Sequence, residues 1–317
     1  MSRLKQKNNR DKSVKKSKKK WWILTPLIII GVLILTVGIY AWVVLNNIKS
    51  TVDSRMFEPV GSINTELTQK KIEDRENLNI LLLGIDAETS DSGRSDAMMI
   101  MTLKPGEDQM KLISIPRDTR APIVGRGTTE KINHAYAYGG ADMSIQTVEN
   151  FLGIELDYFM RINMAGLEEL VNELGPITVN NEIEWRDSNY HFTKGPVEMD
   201  GDKTMSYVRM RKQDPTGDFG RTDRQRRVIE GLIKEGVKVQ NVTRIGEVTN
   251  ILGNNMGTNM EYNDMMRLFR NYNNTFKNFE SYQIQGSGTS INENGRNIYY
   301  YIVPDEEIAN VRNMIES

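Results

Sequence analysis

The 317-residue sequence contains no cysteine, which excludes disulfides, thiolate metal sites and a cysteine nucleophile. Histidine is almost absent as well, with only His134 and His191 present. A zinc site built from three histidines is therefore impossible, and a Ser-His-Asp triad would have to use one of those two. A domain of this size is stable on its core alone, so missing disulfides rule out no compartment. The lack of thiols fits an exposed, oxidising location. There is no internal repeat and no low-complexity tract outside the N-terminal tail.

Acids are scarce in the first 20 residues, which hold ten Lys/Arg against Asp11 alone, a net charge of +9. The whole chain is −1, leaving −10 for residues 21–317. Directly after this tail, the 28 residues from Trp21 to Ile48 carry no charge. As a helix they reach about 42 Å, against a hydrocarbon core of roughly 30 Å, enough to span a bilayer with tilt. Trp21, Trp22, Tyr40 and Trp42 lie toward the ends, where amphipathic rings favour the interface. The basic flank predicts a cytoplasmic N-terminus, with residues 49–317 outside. A cleaved signal peptide would have a shorter apolar core, roughly 7–15 residues, and a small-residue cleavage site. Neither is read here. Ten cations beside a span are a topology and lipid-surface signal rather than a nucleic-acid site.

The reading along the chain is a basic tail (1–20), a transmembrane helix (21–48), a polar extracytoplasmic stalk (49–77) and one catalytic domain (78–317). The domain opens with Leu78-Asn79-Ile80-Leu81-Leu82-Leu83-Gly84-Ile85-Asp86, a buried strand that delivers an acid to its end. Residues 97–103 and 110–115 flank Pro105-Gly106-Glu107-Asp108 and read as a hairpin. Helices are expected over 143–153, 165–174, from Asp200, over 221–237, 244–252 and 264–272. Two late strands, 279–285 and 297–303, flank Asn292-Glu293-Asn294-Gly295, and a last helix follows Pro304 with Asp305 as cap. Strands mixed with helices predict an α/β fold, a three-layer α-β-α domain with a central mixed sheet.

The segment Tyr207–Arg227 holds six arginines (Arg209, Arg211, Arg221, Arg224, Arg226, Arg227) against three acids (Asp214, Asp218, Asp223). Arginine's planar fork suits phosphate, and such a cluster repels itself unless an anion neutralises it. At about 100° per residue, Val228, Ile229 and Leu232 share one face of the helix from Arg221. Arg221 and Gln225 fall on that inward face, Arg227 roughly opposite, and Arg224 at the margin. An arginine there, beside a helix N-terminus, marks an anion site. Asp86 and Asp96 sit at or beside strand ends. Carboxylates with phosphate oxygens suit Mg²⁺, which usually takes one or two protein carboxylates. An aspartate at a strand end is equally a turn or cap residue. Arg117-Asp118-Thr119-Arg120 places two cations at another strand end, and Lys131-Ile132-Asn133-His134 adds a lysine able to meet a phosphate. A solvated turn accounts for the first tetrad as well, and a lone histidine is more often structural than catalytic.

The order of these motifs carries a resemblance. Leu-Leu-Leu-Gly-Ile-Asp (81–86), Arg-Ser-Asp (94–96), Ser-Ile-Pro-Arg-Asp-Thr (114–119), Lys-Ile-Asn-His-Ala-Tyr (131–136), Tyr-Val-Arg-Met-Arg (207–211) and Asp-Phe-Gly-Arg-Thr-Asp-Arg-Gln (218–225) resemble the LytR–CpsA–Psr family. The likeness covers residues 78–240 closely, and no motif is recognised beyond 240. It implies a cell-wall transferase outside the membrane, moving an anionic glycopolymer such as teichoic acid or capsule from a polyprenyl-pyrophosphate carrier to peptidoglycan. It implies Mg²⁺ (or Mn²⁺) at Asp86 and Asp96. It implies a pyrophosphate pocket lined by Arg94, Arg117, Lys131, Arg209, Arg211, Arg221 and Gln225, with Arg120 and Arg224 carried over as further members. The family's isoprenoid tail lies in an apolar tunnel. Either Asp118 or Asp223 is near enough to these motifs to act as general base. Two rivals share the same residues: a pyrophosphohydrolase that uses water, and a non-catalytic, membrane-anchored regulator that holds a polyanion or lipid.

Overall fold

The computed structural model describes residues 39, 41–86, 93–236, 238, 244–293 and 295–317. The chain divides into two compact units, Met1–Asn46 and Asn47–Ser317. Of the first, only residues 39 and 41–46 are described, and they are helical. The basic tail and residues 21–38 and 40 of the expected span therefore lie outside the described residues. Among those described, no helix is long and apolar enough to cross a membrane.

The second unit begins with helical residues 47–51 (α1) and a π-helical turn (Val52–Met56), then α2 (Thr65–Asp74). Strands β1 (Leu78–Ile85), β2 (Ser95–Lys104), β3 (Gln109–Ser114), β4 (Arg120–Ile123) and β5 (Thr128–Lys131) follow. Next come α3 (His134–Leu152), β6 (Tyr158–Asn163), α4 (Met164–Leu174), β7 (Ile177–Asn181), β8 (Trp185–Arg186), β9 (His191–Phe192) and β10 (Gly195–Met199). Helices α5 (Gly201–Arg209), α6 (Asp218–Gly236) and α7 (Ile245–Asn255) precede β11 (Met256–Thr258) and α8 (Tyr262–Tyr272). A 3-10 turn (Asn273–Lys277), β12 (Asn278–Gln283), β13 (Ser287–Glu293), β14 (Arg296–Ile302) and α9 (Asp305–Glu316) complete the chain.

The main sheet has six strands in the order β11-β6-β1-β2-β3-β12. The pairs β1–β6 and β3–β12 are parallel, and the other three are antiparallel, so the sheet is mixed as expected. The apolar run of β1 from Ile80 onward follows from burial on both faces. Leu81, Leu83 and Ile85 pack with Ile145, Val148 and Leu152 of α3 and Val311 and Ile315 of α9. Ile80 and Leu82 turn the other way, toward Tyr272 and Leu268 of α8 and Ile233 of α6.

Three sequence expectations need correction. Residues 52–74 belong to the domain and are not a stalk. Ile72 is fully buried in the cluster with Leu78 and Tyr272, and Phe57 bridges to Thr258. Helix α2 was hidden because Ile72 and Thr68 alone are buried among charged residues, while Asn64 caps it by accepting from the Leu67 N–H at 3.1 Å. The late hairpin is β13–β14, whereas β12 joins the main sheet beside β3. Strand β13, rich in Ser, Gly and Thr, lacks the apolar alternation that marks a strand. Pro304 is the N-cap of α9, and Asp305 lies inside its first turn without a capping bond. The segment beyond 240 thus supplies both edge strands of the sheet and a core helix.

Candidate active site

Strand direction brings the charged motifs to one end of the sheet. β1 ends at Ile85, opposite Ser95 at the start of β2, so Asp86, Arg94 and Asp96 emerge together; the Asp86 N–H donates to the Arg94 carbonyl at 3.3 Å. β3, antiparallel to β2, finishes at the same end, and a tight turn follows in which Thr119 Oγ1 donates to the Pro116 carbonyl at 2.6 Å. That turn presents Arg117 and Asp118. The first turns of α6 and the C-terminal end of α5 close the far wall. The resulting cavity, about 560 Å³, is lined by Asp86, Arg94, Asp96, Arg117, Arg209, Arg211, Arg221 and Gln225.

Five arginines face two lining carboxylates. Arg117 Nη1 donates to Asp96 Oδ1 at 2.6 Å, and its Nε donates to Asp218 Oδ2 at 3.2 Å. Burial disfavours the Arg117 charge, but Asp218 and Asp96 outweigh it and raise its pKa. The sign reverses at Arg221. Burial pushes its pKa down, and Arg117 and Arg211 push the same way against Asp218 and Asp96. Arg221 is 6% exposed, with Nη1 3.8 Å from Asp96 Oδ2 and Nη2 2.8 Å from Asp218 Oδ1. The latter contact is an ion pair off the hydrogen-bonding line. Arg221 Nε and Nη2 thus make no hydrogen bond, and neither does the buried Gln225 Oε1. Buried donors left open cost about 1–3 kcal/mol each, which an incoming anion recovers.

Other expected residues lie elsewhere. Arg224 is buried behind the cavity, where Nε donates to the Tyr207 carbonyl at 3.2 Å, Nη2 to the Met210 carbonyl at 2.5 Å and Nη1 to Asp214. It fastens the segment carrying Arg209 and Arg211 instead of lining the pocket. Asp223 pairs with Arg226 and with Arg227, whose Nε donates to it at 2.6 Å, on the side of α6 away from the cavity. Asp118 sits beside the pocket, ion-paired with Lys131 Nζ at 2.7 Å and with Arg117 Nε at 3.9 Å. Arg120 is exposed, its guanidinium 5.6 Å from the centre of the Tyr300 ring. His134 contacts Glu130, outside the cavity lining. Asp218, which sequence reasoning counted only as an acid, bridges Arg117 and Arg221; its place three residues before Arg221 on a helix was the available signal.

A second cavity of about 310 Å³ adjoins the first, sharing Met164, Val208 and Gln225. Ala97, Met99 and Met101 of β2 form one wall, and Val228, Ile229 and Leu232 of α6 form another. Part of the stripe read as core-facing therefore lines a cavity. A Cβ on Gly84, at the end nearer Asp96, would lie 2.9 Å from the Ala97 Cβ, so the strands approach there at a separation only glycine allows.

An arginine-rich pocket thus adjoins an apolar chamber at one end of the sheet. The chain belongs to the LytR_cpsA_psr family, whose model matches residues 42–317. The polyisoprenyl-teichoic acid–peptidoglycan teichoic acid transferase TagU of Bacillus anthracis is 40% identical over 303 residues, covering 95% of this chain and 98% of its own. The crystal structure of TagU from B. subtilis is similar with a TM-score of 0.61 and 35% identity, over 76% of this chain and 96% of that one. TagT bound to LIIa-WTA matches with a TM-score of 0.62 at 29% identity, over 76% and 90% of the two chains.

Proposed function

We propose that this chain is a glycopolymer transferase that moves a teichoic-acid-type polymer from a polyprenyl-pyrophosphate carrier to peptidoglycan. The observation that carries the reading is Arg221, buried with two donors that make no hydrogen bond in a cationic cavity that shares Gln225 with an apolar one. Near-full-length similarity to the named transferases supports the same reaction. Arg94, Arg117, Arg209, Arg211 and Arg221 grip the diphosphate while Gln225 marks the passage to the lipid chamber. The acceptor hydroxyl oxygen bonds to the glycopolymer-proximal phosphorus. The bridging P–O bond breaks, polyprenyl phosphate leaves with the electron pair, and Asp118 takes the hydroxyl proton. Charge stabilisation and positioning dominate such transfers, and the arginines supply both.

Asp86 and Asp96 suit Mg²⁺ or Mn²⁺ by donor type and number: both are carboxylates on one cavity, and Asp86 makes no side-chain bond among the described residues. Bound there, the ion would neutralise charge on the diphosphate. Removing either aspartate is expected to abolish most turnover, with strongly non-additive effects because both serve one ion. Full activity of an Asp86→Ala, Asp96→Ala double variant in chelator contradicts the metal assignment.

The basic tail and uncharged run anchor the domain outside the cell membrane. Protease added to intact protoplasts is expected to release it, and protection until lysis contradicts this orientation. The ligand class is tested by mass spectrometry of lipid co-purified with the full chain. A polyprenyl phosphate or diphosphate, depleted in an Arg221→Ala variant, is the expected result; its absence from freshly membrane-extracted wild type contradicts the reading.

A further inference from the structure

We propose that α8 and the turn after it form a contact surface for an anionic phospholipid bilayer, seating the domain with its apolar cavity opening toward the lipid; this rests on the membrane anchor proposed above. The exposed residues of α8 are Asn263, Met266, Arg267, Phe269 and Arg270, which include two cations and no acid. Phe269 is 68% exposed and Met266 38%, while Met265, Leu268 and Tyr272 face the core. A scattered exposed hydrophobe needs no explanation. The position of this pair supplies one.

Ile48, the last residue of the uncharged run, packs with Tyr262 and Met265 against the cluster of Val52, Met56 and Met256. The Tyr262 N–H also donates to Asp53 Oδ1 at 2.8 Å. Helix α8 therefore begins beside the point where the chain leaves the run read as membrane-spanning. Phe276, in the 3-10 turn after α8, is 37% exposed and lines the apolar cavity. Along β2 that cavity runs from Ala97 through Met99 to Met101, a length of about 13 Å at about 3.3 Å per residue, leading away from the Asp96 end. Phe269 and Met266, flanked by arginines, would enter the headgroup–acyl boundary, which apolar side chains of interfacial helices penetrate by about 5–10 Å. Arg267, Arg270 and Lys277 supply the attraction to anionic headgroups. A lipid tail then reaches the arginine pocket without crossing water.

The absence of cysteine permits a direct test. Full-length Phe269→Cys, Met266→Cys and Asn189→Cys variants, the last in an exposed turn between β8 and β9, are labelled with a fluorophore in vesicles of phosphatidylglycerol and phosphatidylcholine containing nitroxide-labelled lipid. Quenching at 266 and 269 is expected to exceed that at 189 several-fold, and to fall when phosphatidylglycerol is omitted. Equal weak quenching at all three sites, in protein that co-floats with the vesicles, overturns the α8 surface and leaves the anchor standing. Protein that fails to co-float after an alkaline wash overturns the anchor and this proposal with it. The two sites on α8 are read independently, so misfolding of one variant leaves the other decisive.

Discussion

Arg221→Ala is expected to lower transfer by about 10³-fold while leaving the fold intact, because a phosphate clamp acts on charge that develops in the transition state. The physical basis is the burial of this guanidinium beside other cations. Burial, with Arg117 and Arg211 nearby, disfavours its charged form, and its Nε and Nη2 donors are open. Removing a buried cation in that condition relieves repulsion and deletes an unsatisfied group, so stability without ligand is expected to change by no more than about 1 kcal/mol. The Arg117–Asp96 and Arg117–Asp218 bonds stay in place. Steady-state kinetics alongside thermal unfolding separates the effects. Large losses of both activity and melting temperature would make Arg221 a structural residue.

The neighbouring Arg224→Ala is expected to do the reverse. Arg224 is 3% exposed and donates to two backbone carbonyls and to Asp214. Truncation strands those acceptors and a buried carboxylate, at a cost of about 3 kcal/mol, or roughly 5–10 °C in Tm for a domain this large. Burial would raise the Asp214 pKa, but bonds from Thr216 and Arg224 hold it below the usual range. A carboxylate held low stabilises the fold above its unfolded pKa of about 3.9, and that contribution disappears on acidification. The destabilisation by Arg224→Ala should therefore shrink below about pH 4. Thermal melts across pH check it; a wild-type Tm in the variant at pH 7 would remove Arg224 from the framework.

The contrast between these two arginines shows how far the sequence could be read. Helical periodicity placed Arg221 and Gln225 with Val228 and Leu232, and all four are buried. The projection left Arg224 at the margin, because it describes one helix and not the loop that returns over it. The carbonyls of Tyr207 and Met210 come from 17 and 14 residues upstream and carry no side-chain signature. Asp223 failed for a related reason: proximity to a motif does not say which side of a helix meets the cavity. β1 and β2 were legible because burial on two faces demands long apolar runs, and β3 because a turn sequence separates it from β2. Helix α2 was not, since partners distant in sequence hold it, such as Asp157 accepting from Lys71 Nζ at 2.9 Å, and strand β13 was not, since it lacks apolar alternation. The arginine-lined cavity could be foreseen from charge density. The chamber behind it could not, because an apolar stripe reads the same whether it meets side chains or a lipid tail.

The most direct measurement is product analysis with purified full-length protein, a polyprenyl-pyrophosphate-linked teichoic acid and Mg²⁺, with and without peptidoglycan. The expected result is glycopolymer joined to peptidoglycan through a phosphodiester, one polyprenyl phosphate released per polymer transferred, and little turnover without acceptor. Release of free phosphorylated glycopolymer at the same rate with or without peptidoglycan would make the protein a hydrolase and contradict transfer.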